Sequence, residues 1–298
     1  MKKRAYCVLT ALVLALWMFA PAVADPGHRR HNTPVYYLSL GTSLAAGIQP
    51  DPLTGENIIT DSGYPDQLAA LLGDDIRKLR HVNLGCPAEA AETFINGGIC
   101  DYRHGSQLDE ALHFLHAHGK FTGLITIDLG ANDVLQCLDG TAYDPKCLQE
   151  RLAQLASDLS YILQSLREAA PHAPIVGMNY YNPLLAYYKI DPAFAQLTAA
   201  LQAQINAVIT SVYTQFGIPV ADVAGAFMTS DLITDADGNG WPDSVDLVCA
   251  WTWMCSPFQN IHANDEGYAV IADEFYAVLP QIPVSTPPRR RHASFGNP

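Results

Sequence analysis

Basic residues are scarce in this chain: 17 Lys and Arg stand against 30 Asp and Glu in 298 residues, a formal net charge of −13. A surface of that sign repels phosphate backbones and excludes a nucleic-acid partner. Beyond the first 24 residues, no apolar run approaches the roughly 20 residues of a membrane-spanning helix, so stable membrane insertion is excluded too. No Cys-x-x-Cys pair occurs, which removes the usual spacing of a cysteine zinc site. Internal repeats are absent, leaving one continuous domain as the reading for a chain of this length.

What is present begins with a transport signal. Lys2, Lys3 and Arg4 precede an apolar run over residues 5–20, and Ala22-Val23-Ala24 supplies a small-x-small cleavage pattern. A retained N-terminal anchor is the alternative. The signal reading predicts cleavage near Ala24 and a secreted protein, with a tail over 25–33, a domain over 34–284 and a basic tail over 285–298. Cys7 departs with the signal, leaving Cys86, Cys100, Cys137, Cys147, Cys249 and Cys255. An even cysteine count in an exported chain predicts disulfides. Of the 15 pairings that six cysteines allow, sequential neighbours close the shortest loops at the least entropic cost.

Runs rich in β-branched and aromatic residues alternate with helical patterns. VYYLSL (35–40), HVNL (81–84), GLITIDL (123–129), PIVGMN (174–179) and IPVADV (218–223) read as strands. Residues 146–170, 191–216 and 264–279 carry apolar positions at helical spacing. Strands that are apolar on both faces and separated by helices predict an α/β fold. The expected form is a three-layer α/β/α sandwich around a flavodoxin-like parallel five-stranded sheet.

Chemistry-bearing residues fall where such a sheet puts active sites, beyond the carboxyl ends of its strands. Ser43 follows the first strand in SLGTSLAAG, where a turn into a helix is expected to offer backbone amides to an oxyanion. Gly85 in NLGCP follows the second strand, Asn132 in DLGAND follows the third, and His262 precedes the last helix. Singly, each has a plain structural reading as a cap, a turn or a surface residue. Together they supply a hydroxyl nucleophile, an imidazole base and amide donors from Ser43, Gly85 and Asn132, which is what acyl transfer requires.

SLGTSLAAG, NLGCP, GAND and IHANDEGYAVIA resemble blocks I, II, III and V of the SGNH/GDSL hydrolases, over about residues 35–280. The segment CAWTWMC (249–255) is similar to secreted, disulfide-bearing actinobacterial-type members. The resemblance implies a secreted esterase or lipase with Ser43 as nucleophile, His262 as base and no cofactor for catalysis. Its substrate is a small-molecule or lipid ester, and a monomer is expected. Two positions depart from the family pattern. Gly-Asp-Ser reads Gly41-Thr42-Ser43, and the position of the triad Asp, three residues before the His, holds Gln259. A Ser–His dyad is therefore predicted, its imidazole oriented by a neutral acceptor: a backbone carbonyl near residues 254–258 or the Gln259 amide. Two other readings stand beside the esterase, a carbohydrate deacetylase on the same scaffold and a catalytically impaired calcium-binding module.

DADGNGWPDSVD (235–246) has the register of an EF-hand-type loop. Asp235, Asp237, Asn239 and Asp243 occupy positions 1, 3, 5 and 9, the Trp241 carbonyl position 7, and Asp246 position 12. A structural Ca²⁺ is expected, against the plainer reading of an acidic surface turn. His113, His116 and His118 share one helix without supporting carboxylates and read as surface or packing residues. Tyr180, Tyr181, Tyr187 and Tyr188 either line an acyl pocket or pack a loop.

Overall fold

All five apolar segments assigned to strands form strands. A computed structural model describes residues 34–139 and 142–280, within one compact unit spanning Pro34–Thr286. The predicted signal and both predicted tails lie outside the described residues. In chain order the elements are β1 (Val35–Gly41), hairpin strands β2 (Ile48–Pro50) and β3 (Asn57–Ile59), α1 (Tyr64–Asp75), β4 (Leu79–Asn83), α2 (Ala91–Asn96), α3 (Gln107–His118) and β5 (Thr122–Asp128). Next come α4 (Ala131–Leu135), a hairpin of β6 (Leu138–Asp139) and β7 (Ala142–Tyr143), α5 (Pro145–Ala169), β8 (Ile175–Met178), α6 (Pro192–Gln215) and β9 (Val220–Ala221). The chain closes with α7 (Val223–Ala226), α8 (Asp243–Trp251) and α9 (Asp265–Ala277).

The central sheet is wholly parallel, in the order β4-β1-β5-β8-β9. Every residue of β5 is buried, as expected of a strand covered on both faces. The chain steps from β1 to β4 on one side, then returns past β1 to β5 on the other. That reversal opens a crevice at the carboxyl ends of β1 and β5, where ligands of such sheets bind.

Helices start where their sequences say. Asp144 accepts from the amides of Lys146 and Cys147 ahead of α5, and Asp191 accepts from Phe194 ahead of α6, each followed by Pro at the first helical position. Leu155, Leu159, Ile162, Leu163 and Leu166 form one fully buried stripe of α5. Each such side chain contributes roughly 2 kcal/mol of hydrophobic burial, which anchors this helix on the sheet. On the other side α1 packs with α9, and Tyr64 stacks on Phe275 at 4.7 Å between ring centroids.

The cysteines pair as sequential neighbours: Cys86–Cys100, Cys137–Cys147 and Cys249–Cys255, with Cα separations of 6.1, 5.6 and 5.0 Å. Among the described residues no helix is long and apolar enough to cross a membrane.

Candidate active site

From residue 37 to residue 50 every side chain is buried except Ser43. The strand end that presents it is held tightly. Gly41, at φ +133°, lies so close to Asp128 that a Cβ there would run into the carboxylate. The Gly41 amide donates to Gln107 Oε1 (2.6 Å), and its carbonyl accepts from Gln107 Nε2 (3.0 Å). Asp128 accepts from the Thr42 hydroxyl (2.6 Å), the Thr42 amide (3.2 Å) and the Tyr64 hydroxyl (3.1 Å). Burial pushes this carboxyl up to about 7, against those hydrogen bonds.

No helix follows Ser43, contrary to expectation. Residues 43–47 form successive turns that lead into β2, and the next helix waits until Tyr64. Amides presented beside Ser43 therefore belong to turns, and no helix dipole assists them. The reason is local: Gly47, at φ +68°, packs on the backbone of Gly63, and this contact turns the chain into the hairpin.

The β2–β3 hairpin carries the approach of His262. Gln49 bridges two parts of the later chain, accepting from Trp253 Nε1 (3.1 Å) and donating to Asp265 (2.7 Å). The Tyr268 hydroxyl donates to the Ile48 carbonyl (2.8 Å). On β3, Asn57 Oδ1 accepts from Asn260 Nδ2 (2.6 Å). Ser43 and His262, from opposite ends of the chain, thereby line one cavity of about 980 Å³, its open mouth included.

His262 Nδ1 lies 2.7 Å from Asn260 Oδ1, and that oxygen also accepts the His262 amide at 3.0 Å. A backbone N–H demands an acceptor, so the Asn260 atom is its carbonyl oxygen. Nδ1 must then carry the hydrogen and Nε2 is left as a lone pair, the tautomer a base needs. This corrects the sequence expectation: the imidazole is oriented by Asn260, one position after Gln259. Gln259 adopts φ +45° and donates its own amide to the Ser256 carbonyl, so its part is to turn the chain. An Asn two residues before a His was the available signal, since Asn side chains reach their own backbone two residues on. Burial lowers the His262 pKa to about 4, keeping the ring neutral at physiological pH.

The amide donors arrive already engaged. Asn132, in the first turn of α4, lines the cavity while its Nδ2 donates to the Glu89 carbonyl (2.9 Å). Gly85 stands against the turn behind Ser43, where a Cβ would lie 2.5 Å from the Ala46 nitrogen, and its amide donates to Asn83 Oδ1 (2.9 Å). Beyond it Ala88 holds φ +66°, a strained setting for a side chain at the edge of the same loop.

The acidic loop is only partly gathered. Carboxylate oxygens of Asp235, Asp237 and Asp243 lie within 4.8 Å of one another. The Asn239 amide donates to Asp235 and Asp237. Asp246 points elsewhere, accepting from Trp241 Nε1 (3.0 Å) and Asn239 Nδ2 (2.7 Å), with Lys189 Nζ 3.9 Å away. Asp243 and Asp246 both sit in the first turn of α8, and the Trp241 indole and Asn239 amide are what hold the Asp246 carboxylate. His113 stacks on His104 at 3.9 Å and His118 lies tilted against Tyr36 at 4.7 Å, so each ring has an aromatic partner. Tyr180 and Tyr181 line the cavity, whereas Tyr187 packs edge-on against Phe194.

Residues 39–270 match the profile of the GDSL-like Lipase/Acylhydrolase family. The chain belongs to this family. No curated protein sequence matches the GDSL-like chain. Its fold is similar to that of an extracellular lipase from Streptomyces rimosus (TM-score 0.53, 19% identity, 82% of this chain and 100% of that one). It is also similar to phospholipase A1 from Streptomyces albidoflavus (TM-score 0.50, 16% identity, 82% and 100%). A third match is a GDSL-like lipase candidate from Parabacteroides merdae (TM-score 0.55, 15% identity, 83% and 95%). At such identities the likeness establishes the fold. The family membership makes the GDSL-like chain a hydrolase of the esterase and lipase type.

Proposed function

We propose that this chain is a secreted serine carboxylic-ester hydrolase working through an acyl-enzyme on Ser43. The observation that carries the reading is the shared cavity, lined by the part-exposed Ser43 and by an imidazole whose free lone pair is Nε2. Ser43 Oγ bonds to the ester carbonyl carbon as His262 Nε2 takes its proton. The carbonyl oxygen gains the negative charge and is held by the Ser43 amide and Asn132 Nδ2, with Gly85 as a third donor once it releases Asn83. Collapse breaks the bond to the alcohol, which leaves with the proton from His262. Water, deprotonated by the same imidazole, then attacks the acyl carbon and frees the acid.

Asn260 takes the place of a triad carboxylate. It fixes the tautomer but adds no charge against the imidazolium that forms in each step. The test is labelling by a fluorophosphonate probe. One adduct per chain is expected, mapped to Ser43 and lost in Ser43→Ala; labelling elsewhere, or none with an intact fold, sinks the assignment.

A structural calcium ion is proposed at Asp235, Asp237 and Asp243, three hard oxygen donors suited to that cation. It takes no part in the chemistry. Calorimetric titration with Ca²⁺ should give heat, and chelator should lower the melting temperature; a flat titration with an unmoved melting curve removes the ion. Export follows from the paired cysteines and the predicted signal, and the mature chain recovered from medium should begin at Asp25.

A further inference from the structure

The lining of the cavity beside Ser43 points to the kind of ester it takes, an inference that rests on the hydrolase function proposed for this site. Its walls come from the β6–β7 hairpin (Leu138, Tyr143), the start of α5 (Leu148), α6 (Leu201, Ile205) and the 3₁₀ turn Pro183–Lys189 (Leu184). The Cys137–Cys147 bond ties the hairpin to α5 and sets the distance across this wall. At the rim, Leu135 and Ile261 also line the cavity yet remain 44% and 42% exposed. Large apolar side chains left in water at a cavity mouth mark the entry of an apolar ligand.

The buried polar side chains Asn182 and Thr198 of this wall are bonded within it. Asn182 Nδ2 donates to Thr198 Oγ1 (3.0 Å), which donates on to the Ala195 carbonyl (2.9 Å). Asn182 Oδ1 accepts from the Leu184 amide (3.0 Å), and Gln202 Nε2 donates to Asn206 (3.2 Å). Tyr180 differs. It is 3% exposed, and its hydroxyl stands near Thr42 outside hydrogen-bond geometry, without a partner. A buried hydroxyl left unpaired is costly, which favours a ligand atom that pairs it. A sugar's hydroxyls would find little in this wall beyond the part-buried Tyr143 hydroxyl and Gln202 amide oxygen; a hydrocarbon with polar atoms only at its reacting end matches the mainly apolar lining.

We propose that this cavity is the acyl subsite for a lipid-like ester, holding one unbranched hydrocarbon chain between the β6–β7 hairpin and α6, with the Tyr180 hydroxyl donating to an oxygen at the ester end. The measurement is kcat/KM for p-nitrophenyl acetate, butyrate, octanoate and laurate, with fluorophosphonate labelling on the same preparations. Burial is worth up to about fourfold per methylene, so octanoate should exceed acetate on the order of 100-fold after allowing for incomplete burial. Leu201→Trp fills the cavity and should cut the octanoate-to-acetate ratio about tenfold or more. Leu135→Lys puts a charge at the surface rim, where folding is safe, and should also lower that ratio. Tyr180→Phe should lower octanoate kcat/KM about tenfold through KM while leaving the melting temperature equal or higher, an outcome a purely structural hydroxyl would not give. Acetate hydrolysed as fast as octanoate by a chain that labels at Ser43 overturns the acyl subsite and spares the hydrolase. Ratios that neither wall nor rim variant moves overturn it as well. Absence of both labelling and hydrolysis takes away the hydrolase function beneath it.

Discussion

Two combinations of serine and histidine stand near the end of β1, and the hydrogen-bonded one is not the one in the cavity. Ser39 Oγ lies 2.8 Å from His81 Nε2, and His81 Nδ1 lies 3.4 Å from the Asp66 carboxylate, so serine, histidine and aspartate form a complete chain. Yet Ser39 is 0% exposed, and Tyr37 stacks on the His81 ring at 4.6 Å. A substrate carbonyl cannot reach that oxygen. Ser43, four residues on and the proposed nucleophile, has no such carboxylate chain; it is part-exposed and shares a cavity with His262, whose buried ring stays neutral. Access and a place for the developing charge separate a nucleophile from a buried hydrogen bond; the number of triad members does not.

That contrast can be broken outright. Ser43→Ala should lower kcat/KM by about 10⁴-fold or more, because nucleophile and base act as a unit, whereas Ser39→Ala should leave turnover within about twofold. Steady-state kinetics on the two variants decide it, and the reverse ranking would transfer the site to His81. Next in size is the neutral orienter. Asn260→Ala removes the acceptor that fixes the tautomer and should reduce kcat about 100-fold with KM little changed. Asn260→Asp installs a charge against imidazolium; kcat should rise about tenfold, provided Asn57 turns its amide to meet the new carboxylate.

The pH profile sharpens the same difference. The His262 base must be neutral to act, and burial puts its pKa at about 4, so the acid limb of kcat/KM should fall near pH 4. In Asn260→Asp the adjacent carboxylate favours the protonated ring and should move that limb upward. A wild-type limb near 6.5 would mean the ring is solvated and the cavity wetter than the packing implies. Stability follows the same sign: below pH 6.5 the unfolded imidazole takes a proton that the folded one refuses, so the protein should weaken as the medium is acidified. The smallest effect belongs to the buried pair: Ser39→Ala should cost about 1 kcal/mol in urea unfolding, the worth of one part-buried hydrogen bond.

The central strands were legible because burial on both faces favours short apolar, β-branched and aromatic runs, as in β5, where every residue is buried. Apolar positions at helical spacing over 146–170 and 191–216 placed α5 and α6 equally well. Ser43, Asn132 and His262 could be found because each lies at the end of such an element. The β2–β3 hairpin was not, since strands of three residues leave no period to detect. Asn260 was hidden for a related reason: three positions back from the His stands Gln259, and a left-handed turn at that residue changes which side chain faces the ring. Asp246 fitted a loop register in sequence, but its carboxylate is taken up by Trp241 Nε1 and Asn239 Nδ2, contacts that no register encodes.

Sequence by itself determined the order of strands and helices, the cysteine neighbours close enough to pair, and the residue types at the sheet's carboxyl rim. Those depend on local pattern, in which each choice is set by residues a few positions away. Only the tertiary structure decided which serine is reachable, which amide holds the imidazole and how apolar the cavity is. Each of these depends on contacts such as Gln49 with Trp253 or Asn57 with Asn260, some two hundred positions apart in the chain, and no local preference encodes them.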